Sequence, residues 1–107
     1  MKTYNGHRSY NAWNVALWIA NEYIIYKNVE DAIKENIATK TVVPDNVDES
    51  VLWTKEELIK SVVKDVANDF LKNNKRTPDG AKYNRLNVSL AIEDMVEYEV
   101  EEYIKAN

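Results

Sequence analysis

Two stretches of this 107-residue chain gather side chains that could do chemistry. The first is Asn5-Gly6-His7-Arg8-Ser9-Tyr10-Asn11-Ala12-Trp13-Asn14. A glycine-containing loop that enters a helix N-terminus leaves free amides pointing outward, which makes a ready anion site. Arg8 can grip phosphate or carboxylate through two parallel N–H donors. His7 is the single histidine and could act as a general base near neutral pH. His7, Arg8, Asn11 and Asn14 are therefore the candidate ligand- or anion-binding residues. Each also has a plain structural role to weigh against that one. Ser9 or Asn11 can cap a helix, Tyr10 and Trp13 can fill core, and Asn14 can bond a neighbouring loop.

The second stretch is Glu93, Asp94, Glu97, Tyr98, Glu99, Glu101 and Glu102. Carboxylates at regular helical spacing imitate the phosphates of a nucleic acid, and tyrosine adds contact area at low entropic cost. The plain alternative is a solvated helix face with Tyr103 and Ile104 turned inward. The formal net charge is −4. Residues 93–107 carry six carboxylates against Lys105 alone, a local −5, so the rest of the chain is near neutrality at +1. Acidity confined to one element repels nucleic acid and suits a basic protein surface.

Neither stretch makes a catalytic set. Ser9 and His7 stand two residues apart with no oriented acid, a spacing that implies no proton transfer. The reading is a binding protein rather than an enzyme. One histidine and no cysteine leave only carboxylates as metal ligands, and no calcium-loop pattern is present. The pairs Glu93/Glu97 and Glu97/Glu101 read better as a solvated face than as a cation site. No cofactor is expected. A basic run of Lys72, Lys75, Arg76, Lys82 and Arg85 with Tyr83 could stack and bind single-stranded nucleic acid. A solvated loop is the favoured reading of it, so direct nucleic-acid binding is not expected.

The elements that must position these residues read as helices. Only two Gly and two Pro occur, and apolar residues make up 45% of the chain, enough for one core over a single domain spanning 1–107. The first helix is expected from Ser9 or Asn11 to Lys27. It carries two apolar stripes, Trp13, Leu17, Ala20, Ile24 and Val15, Trp18, Ile19, Ile25, which would place it mid-fold or against a partner. A homodimer through this helix would cover the excess. Asn28 is the expected cap of a second helix over Val29–Ala38, with Val29, Ile33 and Ile37 inward. Thr54 and Glu57 form a capping box for a third helix built on Leu58, Val62, Val66 and Phe70. The turn Thr77-Pro78-Asp79-Gly80 follows, where proline sets φ and glycine tolerates positive φ. A fourth helix runs from Asn84 or Asn87 to Lys105, with Val88, Ile92, Met95 or Val96, and Tyr103 inward. The expected fold is mainly α, a small four-helix bundle-like domain with room for a short β-hairpin from residues 1–5 and 39–53.

The most apolar stretch, Ala12 to Tyr26, is 15 residues long and contains Asn14, Asn21 and Glu22. That is short of the ~20 residues a membrane span needs. No secretory leader is legible after Met1-Lys2, so the expected location is the cytoplasm and no membrane partner is expected.

The run Thr3-Tyr4-Asn5-Gly6-His7-Arg8-Ser9-Tyr10-Asn11-Ala12-Trp13-Asn14-Val15-Ala16-Leu17-Trp18-Ile19 resembles the N-terminal signature of a family of small phage and mobile-element proteins without an assigned activity. Thr77-Pro78-Asp79-Gly80 with Tyr83 matches more loosely, and residues 28–73 do not match. That resemblance offers no catalytic residue and implies a context: an infected or lysogenic bacterial host. Small acidic helical proteins of phages often inhibit host defence, anti-CRISPR proteins among them. The expected function is therefore a host-defence inhibitor whose acidic last helix occupies a basic nucleic-acid-binding surface. The alternative is a nucleotide- or anion-binding module using the His7–Asn14 loop.

Overall fold

A computed structural model describes residues 9–41 and 53–106. Those residues form four helices: α1 (Tyr10–Asn21), α2 (Tyr23–Lys40), α3 (Lys55–Asn73) and α4 (Arg85–Ala106). No strand occurs among the described residues, and the mainly α, four-helix reading holds. The hairpin expected from residues 1–5 and 39–53 falls largely outside them. Of that range, 39 and 40 close α2.

Local chemistry sets most helix ends. The Ser9 hydroxyl accepts the Ala12 amide at 3.1 Å, so Ser9 rather than Asn11 caps α1. Thr54 and Glu57 form the expected capping box, each side chain accepting the other's amide at 3.1 Å. The Asn84 carboxamide oxygen accepts the Asn87 amide at 2.8 Å ahead of α4. At the end of α2, Trp53 donates its indole N–H to the Lys40 carbonyl at 3.0 Å, and the Lys40 ammonium lies 5.5 Å from the centre of the same ring.

One boundary departs from expectation. The first helix ends at Asn21 rather than Lys27, because Glu22 is extended (φ −85°, ψ 112°). Asn28 accordingly lies inside α2 and caps nothing. The break falls just before Tyr23-Ile24-Ile25-Tyr26, four β-branched or aromatic residues with weak helix preference. It re-aims the chain without a proline or glycine to mark the place.

The core is a stripe from each helix. Val15 and Ile19 of α1 meet Val29, Ile33 and Ile37 of α2, Leu58, Val62, Val66 and Ala67 of α3, and Val88, Ile92, Val96 and Val100 of α4. Each fully buried aliphatic of this kind contributes roughly 1.5–3 kcal/mol. α2 and α3 run antiparallel, since Ile25 faces Phe70 across one end of a groove and Lys40 pairs with Asp65 farther along. Both α2 and α4 pack on all three other helices, α4 the more extensively, whereas α1 packs on α2 and α4 alone. The broad apolarity of α1 therefore does not put it in the middle. Leu17 stays exposed, and at the break Tyr23 and Ile24 are 74% and 65% exposed.

Candidate interaction face on the last helix

Because α4 gives one row of residues (Val88, Ile92, Val96, Val100) to the core, its charged rows must lie elsewhere on the helix. Glu93, Glu97 and Glu101 repeat every four residues along one row. Asp94, Tyr98 and Glu102 repeat along the next, which continues toward the N-terminus as Leu90 and Leu86. Glu93, Asp94, Glu97 and Glu102 are exposed, while Glu99 and Glu101 are half-buried. Tyr98 is 60% exposed, and Leu86 and Leu90 are 47% and 49% exposed. The first half of this surface is thus apolar and the second half acidic. Tyr103 is half-buried and packs against the core, while Ile104 is exposed rather than inward.

Among the described residues, few of these carboxylates find a cation. Glu101 accepts from the Lys55 ammonium at 2.9 Å, which joins α4 to the start of α3 and holds the Glu101 carboxyl below its usual range. Glu102 lies 3.6 Å from Lys105. Among the described residues, Glu93, Asp94, Glu97 and Glu99 have no ion-pair partner.

A cleft of about 240 Å³ opens where α2 passes the acidic part of α4. Its walls are Tyr26 and Glu30 of α2 with Asp94, Met95, Tyr98 and Glu99 of α4. Glu30 is already engaged, with Lys27 at 3.0 Å and Lys34 at 3.6 Å, and the Lys27 contact holds its carboxyl below the usual range. Sequence reasoning missed the α2 side of this cleft. Tyr26 and Glu30 stand four apart on a helix face next to the Val29–Ile33–Ile37 stripe, a spacing that was visible. What it faced was not.

The N-terminal candidates are not brought together. His7 and Arg8 lie outside the described residues. Asn11 is exposed, and Asn14 is 1% exposed. Asn14 is engaged by the turn before α4. The Thr77 hydroxyl donates to its side-chain oxygen at 2.6 Å, and its amide donates to Asp79 at 2.9 Å. Trp18, one turn along α1, donates its indole N–H to the same Asp79 oxygen at 2.9 Å. These two donors, Asn14 first, hold the Asp79 carboxyl below its usual range. The turn itself closes through Gly80 N–H to the Thr77 carbonyl at 2.8 Å, with Gly80 at φ 89°, where a side chain would be strained. The Thr77 hydroxyl also accepts the Ala81 amide at 3.0 Å.

The basic run does not present its aromatic residue. Tyr83 is buried edge-on against Phe70, with ring centres 4.9 Å apart, so it offers no face for base stacking. Arg76 donates to the Gly80 carbonyl at 2.9 Å. No helix among the described residues is long and apolar enough to cross a membrane. No group of three or more His, Cys, Asp or Glu is placed to hold a metal ion among them either.

Compared with known proteins, the chain matches one family over residues 1–103, described as a family of unknown function (DUF7249). No curated protein and no solved structure matches it. The chain belongs to that family.

Proposed function

We propose that this family member is a binding protein that lays the outer face of α4 on a basic surface of a protein partner. The observation that carries the reading is the run Glu93, Asp94, Glu97 and Glu99, which makes no ion pair among the described residues, although Lys55 lies near enough to Glu97 to feel its charge, and which flanks the exposed Tyr98. Carboxylates without an ion-pair partner among the described residues do little for the fold, and like charges four apart on a helix, as at Glu93 and Glu97, slightly oppose it. Next to them, Leu86 and Leu90 supply apolar contact area. The partner is a host defence protein whose basic surface otherwise takes nucleic acid, so that the chain acts as an anti-defence inhibitor of anti-CRISPR type in the cytoplasm of an infected or lysogenic bacterium. That context rests on the phage-type signature of residues 3–19. The chemistry rests on the face.

The test is co-purification with nucleic-acid-handling defence proteins of the bacterial host, competed by duplex DNA and by salt. Binding should weaken as the Debye length falls from about 10 Å at 0.1 M to about 3 Å at 1 M. The double change Glu93→Lys, Glu97→Lys should weaken it about tenfold or more while the helical content stays. Glu101 is left alone in that design because it pairs with Lys55. Capture by the charge-reversed protein at undiminished strength would overturn the reading.

The alternative is a ligand or anion module at His7, Arg8, Asn11 and Asn14, and it predicts stabilisation by phosphate or nucleotides that is lost with Arg8→Ala. Asp79 beside Asn14 weighs against it, since it sets a negative charge at one edge of that cluster. A second copy of the chain is the natural cover for Tyr23 and Ile24 at the α1–α2 break. A monomeric mass by light scattering would remove that part.

A further inference from the structure

We propose that the cleft between α2 and α4 receives an arginine side chain of the partner, and so fixes which basic surface the acidic face accepts. The inference rests on the acidic-face reading and adds its specificity. Tyr26 and Tyr98 stand at this cleft from two different helices, and both residues are exposed, at 37% and 60%. Tyrosine faces attract cations, and a planar guanidinium gains most because it can stack while its N–H groups bond carboxylates. Asp94 and Glu99 supply such carboxylates, without ion-pair partners among the described residues, while Glu30 is held by Lys27 and Lys34. Met95 adds a polarisable wall against the apolar stem of a long side chain.

Size and charge select the occupant. At about 240 Å³ the cleft falls below the roughly 300–1,000 Å³ of ordinary small-molecule pockets, and it suits one inserted side chain. An anion is excluded by three carboxylates. The larger groove between α2 and α3, about 430 Å³, is a poorer cation acceptor, because Lys40 pairs with Asp65 there and Lys72 also lines it. The α2–α4 cleft is also continuous with the proposed interface, sharing Asp94, Tyr98 and Glu99 with it.

The probes are fluorescein-labelled octa-arginine and octa-lysine peptides, titrated into the full chain at low salt and followed by anisotropy. The expected result is salt-sensitive binding of both, with octa-arginine tighter by about fivefold. The double change Tyr26→Ala, Tyr98→Ala should bring octa-arginine down to the affinity of octa-lysine and leave octa-lysine unchanged. The pair Tyr26→Leu, Tyr98→Leu keeps apolar bulk and should behave alike, which guards against a folding defect. In the wild-type chain, the ring proton resonances of Tyr26 and Tyr98 should move with octa-arginine and stay in place with octa-lysine. Equal affinities, or an arginine preference that survives the leucine pair with unmoved ring resonances, would overturn the cleft and leave the acidic face standing. Binding of neither peptide would overturn both.

Discussion

Polar side chains serve opposite ends in two regions of this molecule. At the junction of α1 with the Thr77–Gly80 turn, Asn14, Trp18, Thr77 and Asp79 satisfy one another, and the amide of Ala81 joins them. On α4, by contrast, Glu93, Asp94 and Glu97 of the outer rows and the half-buried Glu99 make no hydrogen bond or ion pair among the described residues, and Glu97 feels a nearby cation, Lys55. The junction has the residue types of a ligand site and forms a joint between distant parts of the sequence, with Asn14 and Asp79 separated by 65 positions. The helix face has the residue types of a plain solvated surface and keeps its bonding capacity for something outside. Chemical capability in a sequence is therefore a poor guide to function until one knows which groups already bond each other.

The sharpest way to break that comparison is Asn14→Leu. It keeps the bulk but strips the buried Thr77 hydroxyl of its acceptor and removes a donor from Asp79. An unsatisfied buried polar group costs roughly 1–3 kcal/mol, so the urea midpoint should fall with an unchanged slope. Binding by the remaining folded protein should be unaltered. A variant as stable as wild type, but blind to phosphate or nucleotides that stabilise the wild type, would make the junction a ligand site after all.

Charge reversal at Glu93 and Glu97 tests the other region. Two like charges four apart are replaced by a pattern less repulsive to Asp94 and Glu101, so the unfolding midpoint should hold or rise. Affinity for a basic partner should drop about tenfold or more, mostly through slower association and a shallower salt dependence. A loss of stability instead would place these carboxylates among the fold's own supports.

Asp79 gives a pH test of the joint. Its folded-state pKa lies below the ordinary value because Asn14 and Trp18 donate to the carboxylate. The stability it contributes is therefore complete above about pH 4, and is lost as pH falls from there through the depressed value. Asp79→Asn should flatten this part of the acid limb relative to wild type. Some slope will remain, since Lys40 and Asn36 similarly depress Asp65. Parallel curves for the two proteins would mean that the two hydrogen bonds do not favour the charged form.

How much of this was legible follows from what each signal depends on. The Thr54–Glu57 box, the Val29–Ile33–Ile37 stripe and the positive-φ glycine are local, determined within one or two turns, and could be read directly. The break at Glu22 was not legible, because the apolar residues Tyr23-Ile24-Ile25 continue across it and no residue type forces the kink. Ser9 and Asn11 were equivalent as caps until the extended backbone of Ser9 (φ −160°, ψ 167°) chose between them. The role of Asn14 depended on Asp79 and Thr77, and the cleft depended on Tyr26 and Tyr98 lining one space from two helices. Neither arrangement leaves a trace in local spacing. The acidic rows could be read as a surface, but which of their carboxylates meet a cation, as Glu101 and Glu102 do, is a property of the packed chain.

The smallest expected effect joins the two regions' logic. Glu101 is the acidic-row carboxylate most engaged internally, bonded to Lys55 at 2.9 Å with both side chains 41% exposed. Lys55→Ala removes that partner without touching the core. An exposed pair of this kind contributes little to stability, being screened and opposed by the entropy of two long side chains, so the unfolding midpoint should not move measurably. Glu101 would then join Glu93 and Glu97 as a free carboxylate, and its pKa should return toward the ordinary range, visible in a carboxyl titration by NMR. Affinity for a basic partner should rise about twofold at low salt, with the gain vanishing at high salt. A drop in stability with no gain in binding would show that the α3–α4 ion pair belongs to the fold. The boundary between satisfied and unsatisfied carboxylates would then run between Glu97 and Glu101, not between two regions of the molecule.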